Sequence, residues 1–229
     1  MSSNFFVLSA MVLNVFMIVY TLWVLSLNAS GKMPWAIGAA LVVWLCGLHL
    51  FINHQLLFPQ NISGIAFLII IFAAVGLVGL VLLLTPAIRK RLLGLTQEQF
   101  MLMQGIRVFF GAGFLMQAAQ SHIPLTFGVI DGFTHITAGF LGLIAAFTAS
   151  KKLYGNSRIV FANIFGLADI LIVASSIALI LLPELGPHHT MMYAVFLPAP
   201  LWLWFHLISL WKLFGNKHSP QQKTASAIC

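Results

Sequence analysis

Acidic side chains are nearly missing from this chain: Asp and Glu together number 4 in 229 residues, against 11 Lys and Arg. Charged residues of both signs reach only 7%. Soluble domains carry about 25%, so this chain could not cover a water-facing surface, and a soluble protein with a large core is excluded. Cysteine is scarce as well. Cys46 lies inside an apolar run, Cys229 is the last residue, and no CxxC spacing occurs. Neither a disulfide framework nor a cysteine-type zinc site is indicated. No polar stretch is long enough for a separate soluble domain.

What is present is apolar: 61% hydrophobic residues and a mean hydropathy of +1.03. Apolar runs recur along the sequence, separated by short polar breaks, and reach the roughly 20 residues that cross hydrocarbon. The opening "MSSNFFVLSAMVLNVF" lacks the basic region of a secretory signal and is expected to be the first span. Seven helices are expected over residues 5–27, 34–53, 62–86, 98–119, 124–149, 159–182 and 190–213. Pro34, Pro86, Pro124 and Pro183 sit at ends, where a missing N–H is tolerated. Gln104, Arg107 and Gln117 interrupt the fourth span, and Pro198 with Pro200 predicts a kink or broken turn in the seventh.

Lys and Arg alternate between breaks. Lys32, then Arg89, Lys90 and Arg91, then Lys151, Lys152 and Arg158, then Lys217 and Lys223 occupy one set; "NHQLLFPQN", "QSHIP" and "PELGPHH" carry none. The positive-inside rule places the N-terminus outside and the C-terminus inside, as seven spans require. The fold class is therefore an all-α integral membrane protein, a seven-transmembrane-helix bundle over 1–214 with a short cytoplasmic tail over 215–229. The expected location is a bacterial cytoplasmic membrane. The net charge of +7 forms a basic inner rim facing anionic headgroups and calls for no nucleic-acid partner. Trp23, Trp35, Trp202 and Trp211 are expected as interfacial anchors.

Apart from span ends, where Lys212 can snorkel from the inner end of the seventh, three charges fall inside spans: Arg107, Asp131 and Asp169. At about 1.5 Å rise per residue, Arg107, His135 and Asp169 share a midplane. Asp131 is one turn nearer the outside than His135, and His206 is deeper, toward the cytoplasmic third. Each carrier helix has a small-or-polar stripe: Gln104, Arg107, Gly111 and Ala118 on the fourth; Gly128, Asp131, His135, Ala138, Gly139, Gly142 and Ala146 on the fifth; Ala162, Gly166, Asp169 and Ser176 on the sixth. Small residues permit close backbone approach in membranes, so the stripes are expected to face one another and bring Asp131 and His135 against Arg107 and Asp169. One Arg and two Asp sum to −1, and a proton on His135 would neutralise the site. A charge at the bilayer centre costs at least about 2.5 kcal/mol, so such a site would titrate as a coupled unit.

Intramembrane ionisable residues are functional candidates. Arg107, Asp131, His135, Asp169, Gln104 and His206 are the expected site for a small polar solute, an ion or a proton, in a transporter with proton coupling. The alternative from another class is a seven-helix sensor or accessory protein in which the same ion pairs form a structural latch. The third is a metal- or haem-binding membrane protein. Imidazole and carboxylate at the outer end, His54, His188, His189 and Glu184, form the candidate metal set, although no HxxxH or HExxH spacing occurs. Haem would need two axial histidines at matched depth, and His135 and His206 differ. A retinal lysine is missing from the middle of the seventh span. Ser175, Ser176 and Ser209 have no evident base at their levels, which argues against a hydrolase. No cofactor is required by the sequence.

Overall fold

The computed structural model describes residues 3–27, 33–151 and 156–215. Lys32, Lys152, Lys217, Lys223, Cys229 and most of the expected tail lie outside the described residues. The described chain is all-helical: α1 (Ser3–Ser26), α2 (Met33–Asn53), α3 (Gly64–Leu84), α4 (Pro86–Gly94), α5 (Gln97–Gln104), α6 (Arg107–Ala119), α7 (Leu125–Ser150), α8 (Ser157–Ser176), a π-helical turn (Ile177–Leu181), α9 (Leu182–Leu185), α10 (Met192–Phe196) and α11 (Pro198–Gly215). Among the described residues six segments are long and apolar enough to cross a membrane: Phe5–Ser26, Pro34–Asn53, Gly64–Leu84, Gln97–Ala119, Leu125–Ser150 and Ser157–Leu185. α10 and α11, over the seventh expected span, are not among them.

Each departure from the expected helices has a local cause. The stretch after α3 is a helix rather than a loop, begun by Pro86 in its first turn, where a missing N–H costs nothing. The fourth span is divided: Gly105 N donates to Leu102 O and Val108 N to Gly105 O, so the turn at Gly105–Ile106 tightens to three-residue spacing. Tyr20 from α1 donates its hydroxyl to the same Leu102 carbonyl at 2.8 Å. The sixth span continues past Ser176 by widening into a π turn ahead of Pro183, whose ring would crowd the carbonyl four residues back in a regular helix. Gly186 then ends α9 at φ 72, a conformation suited to glycine.

The expected break in the seventh span is present. Leu197 leaves the helix at φ −118, ψ −70 between α10 and α11. Pro200 has no N–H for the Phe196 carbonyl four residues earlier, and the Trp44 indole donates to it instead, at 2.8 Å.

The α5–α6 rod is the centre of the bundle, with 67% of its most apolar window buried. α7 packs along it more intimately than any other helix. A Cβ on Gly111 would lie 2.4 Å from Gly132 O, and one on Gly128 would lie 2.2 Å from Ala118 Cβ, so the two backbones touch where glycines stand. α1, α8 and α11 complete the inner ring, while α2 and α3 are peripheral. Two side chains from elsewhere cap the end of α1: Gln99 Nε2 donates to Val24 O and Leu27 O, and Arg91 Nη2 donates to Leu25 O and Leu27 O.

The polar ends sort into two sets. Phe6 stacks on His122 at 3.8 Å, and His188 accepts from Phe58 N, which joins the start of α1 to the loops at 54–62, 120–124 and 186–190. At the other end, Lys212 donates to Leu93 O and Leu95 O, which places the foot of α11 against α4.

Candidate functional site

The facing stripes meet as their small residues require, and a charged cluster is buried between them. Arg107 stands at the first position of α6, just after the tightened turn, and is fully buried. Its Nη2 makes an ion pair with Asp169 Oδ2 from α8. Gly166, one turn before Asp169, makes room for this: a Cβ there would sit 2.2 Å from His206 Nε2 and 3.2 Å from Arg107 Nη1. The backbone carbonyl of Gly166 receives weak bonds from both Arg107 terminal nitrogens, at 3.4 and 3.5 Å.

Asp169 is shared. His135 Nδ1 from α7 lies 3.0 Å from its Oδ2 and 3.2 Å from its Oδ1. A carboxylate only accepts, so the imidazole donates here and its other nitrogen holds a free lone pair when the ring is neutral. His135 lines a cavity of about 40 Å³ together with Ile71, Phe114, Ile170, Val173 and Trp202. Those walls are apolar, and apolar cavities stay dry.

His206 belongs to the cluster and is not separated from it by depth. Its Nε2 is 3.0 Å from Arg107 Nη1 and its Nδ1 is 2.9 Å from Asn163 Oδ1. A straight-helix ruler misplaces His206 because the chain turns at Leu197 and the long Arg107 side chain spans the remainder. From Asn163 the network continues. Asn163 Nδ2 donates to Ser209 Oγ at 2.9 Å, Ser209 donates to Gln97 Oε1 at 2.6 Å, and Gln97 Nε2 returns to Ser209 O at 3.0 Å. Gln97 begins α5, at the end of the bundle where Lys212 meets α4. Both His206 nitrogens are occupied, so the ring has no lone pair for haem iron or another metal.

Asp131 departs from the expected arrangement. It is fully buried on α7, yet it does not meet Arg107, and neither carboxylate oxygen has a hydrogen-bond partner among the described residues. Ser176 on α8 is a neighbouring hydroxyl without a hydrogen bond of ordinary geometry to it. The reason is reach: the Arg107 guanidinium is held by Asp169, Gly166 and His206 on the side away from the N-terminal half of α7. Gln104 contributes only a 3.4 Å contact from its Oε1 to Arg107, and its Nε2 is buried without a partner.

Trp202 is also not where the sequence suggested. It is 1% exposed, with Arg107 Cζ 5.2 Å from its ring centroid, Phe110 edge-on at 5.1 Å and His135 at 5.9 Å. It is a wall of the cluster and not an interfacial anchor; Trp23, Trp35 and Trp211 are exposed.

Asn163, Ser209 and Gln97 were not anticipated as members. Asn163 carried a signal, lying near the Asp169 stripe inside an apolar run, whereas Gln97 fell just outside the expected helix.

The candidate metal residues do not assemble. Among the described residues no group of three His, Cys, Asp or Glu side chains is placed to hold a metal ion. His54 and Glu184 are exposed, His188 Nε2 accepts from Phe58 N, and His189 Nδ1 accepts from Met191 N. Burial lowers the His188 and His122 imidazoles below their ordinary range. His189 is pushed down to about 3 by burial and by the neighbouring His122 and His188.

No curated protein and no solved structure matches the chain. A family described as a domain of unknown function matches residues 62–214, which leaves out α1 and α2 and takes in every member of the buried cluster. By that match the chain belongs to the DUF8737 family.

Proposed function

We propose that this protein is a seven-span membrane transporter that moves a proton, or a small solute coupled to one, through the α5–α8 and α11 core. The observation that carries the reading is the run of polar side chains His135–Asp169–Arg107–His206–Asn163–Ser209–Gln97, which leads from mid-bundle to one end. Asp131 stands one turn beyond it on the opposite side. Buried polar groups in hydrocarbon are costly, and chains of Asp, Glu and His mark proton and substrate paths. A buried carboxylate without donors is costlier still, so Asp131 is the point that a proton, cation or polar ligand would complete. His135 is the acceptor one turn inward. The Arg107–Asp169 pair stands between the two imidazoles, His135 on Asp169 and His206 on Arg107, so charge entering at Asp131 can be compensated without rearranging the helices.

The seventh crossing and the orientation belong to the same proposal. α10 and α11 run from the end carrying His188 to the end carrying Lys212, and Arg89, Lys90, Arg91, Lys151 and Arg158 gather at the latter. The positive-inside rule makes that end cytoplasmic. Reporter fusions after residues 60 and 187 should read outside, and fusions after 92 and 156 inside.

Proton flux tests the path. Proteoliposomes filled with a pH-sensitive dye should dissipate an imposed pH gradient, and Asp131→Asn, which removes no hydrogen bond of the cluster, should slow the decay without lowering the melting temperature. A gradient that persists as in protein-free liposomes would sink the proton path.

The latch reading has one observation in its favour: both Asp169 oxygens are already engaged, by Arg107 and His135. It requires Asp131→Asn to leave any flux untouched and Asp169→Asn to loosen the bundle.

A further inference from the structure

A second cavity lies away from the charged cluster. It has a volume of about 260 Å³ and is bounded by α1, α2, α3, α4 and the break ahead of α11. It exists because α2 and α3, although consecutive, scarcely touch one another. Trp44 closes it toward mid-bundle, where its indole is committed to Phe196 O. Ile37, Leu41, Val78 and Val81 form its sides. From Ile37 to Trp44 the groove follows α2 for roughly 10 Å, at about 1.5 Å per residue. Leu77 and Val81 are also more than half exposed, at 60% and 51%, so the groove opens where lipid would surround the bundle.

One charged side chain reaches its wall, Arg91. Arg91 is held by the carbonyls that end α1, and its Nε–H is buried without a partner. Arg89 and Lys90 are exposed beside it on α4. Among the described residues no acidic side chain forms an ion pair with any of these three cations. An apolar slot roofed by a short basic helix has the chemistry of a phospholipid site: methylenes fill the slot, and a negatively charged headgroup meets the cations.

We propose that this groove holds an acyl chain of an anionic phospholipid, with its phosphate at Arg91, Arg89 and Lys90. A zwitterionic lipid gains the same apolar burial but less from the cations. The preference between headgroups is therefore the signature of the site, and filling the slot removes lipid of either kind.

Delipidated protein in mild detergent, titrated with phosphatidylglycerol or phosphatidylcholine and read by native mass spectrometry, tests the proposal. Wild type should retain phosphatidylglycerol preferentially. Arg89→Gln with Lys90→Gln, at exposed positions that leave the fold intact, should lower that preference on the order of tenfold. Ala40→Trp, which fills the slot from α2, should lose both lipids. Equal retention of the two lipids by wild type, retention of neither, or wild-type retention by Ala40→Trp would each overturn it.

Discussion

His206 accepts from Arg107: the guanidinium Nη1 lies 3.0 Å from His206 Nε2, and a guanidinium has no lone pair to offer. The imidazole proton therefore sits on Nδ1, where it is donated to Asn163 Oδ1 at 2.9 Å. Every donor from Arg107 to Gln97 then points the same way. Arg107 gives to His206, His206 to Asn163, Asn163 to Ser209 and Ser209 to Gln97. Arg107 can neither accept a proton nor release one, so a proton would have to join this relay at His206, and both amides would have to rotate to reset the bonds afterwards.

His206→Ala should leave Arg107 Nη1 and Asn163 Oδ1 without this partner. The expected loss is about 1–3 kcal/mol for each buried group unpaired. His206→Gln can accept and donate at once and should recover part of it. Denaturation of the detergent-solubilised variants measures both. An alanine variant as stable as wild type would mean that water replaces the ring.

The ion pair predicts an asymmetric mutant cycle. Arg107→Ala leaves Asp169 buried without its cation and should cost about 3–5 kcal/mol. Adding Asp169→Asn should restore a good part of that, because the two side chains touch. Adding Asp131→Asn should restore little, since Asp131 has no partner in the cluster. Equal rescue by both asparagines would place Asp131 within reach of Arg107.

Much of this was legible beforehand because it depends on periodicity and punctuation. The stripe Gly128, Asp131, His135, Gly139 and Gly142 identified the buried face of α7, since polar groups and missing side chains are both costly facing lipid. Pro198 and Pro200 located the break ahead of α11. What could not be read was direction at atomic scale. Sequence spacing set both Asp131 and Asp169 against Arg107, but a guanidinium chooses one carboxylate according to where its stem points. Depth counted along straight helices misplaced His206 and, for the same reason, took Trp202 for an interface residue. His188 and His189 do not converge on a metal position because adjacent loop residues turn their ring nitrogens toward separate backbone N–H groups.

Backbone contact between α6 and α7 predicts which glycines tolerate a methyl group. Gly111→Ala would drive its Cβ to 2.4 Å from Gly132 O, and Gly132→Ala would meet Leu115 Cγ at 2.7 Å. Gly111→Ala should be the worse, because a backbone carbonyl cannot swing aside; overpacking of this kind costs about 1–3 kcal/mol. Gly47 and Gly76 have nothing within 4 Å of a new Cβ, and alanine there should be neutral or stabilising by up to about 1 kcal/mol. Melting temperatures of the four variants give the order directly. Similar losses at Gly111 and Gly76 would contradict the close packing.

The loops carrying His122, His188 and His189 predict a dependence on pH that is separate from the buried cluster. Burial, and then His122 and His188, hold His189 at about 3 in the folded protein, against about 6.5 for an unperturbed histidine. Its Nδ1 accepts from Met191 N, so the neutral ring is the form that fits. With the folded value depressed, the unfolded chain binds the proton first. The stability is therefore fully present above about pH 6.5 and is lost as pH falls from there toward 3. The slope is at most about 1.4 kcal/mol per pH unit for one proton. His122 and His188 are shifted the same way and add to it. Melting between pH 7.5 and 4.5 should show this decline in wild type and a shallower one in His189→Gln, whose side chain does not titrate. Parallel curves for the two proteins would show that acid acts elsewhere and that His189 already exchanges its proton freely with water.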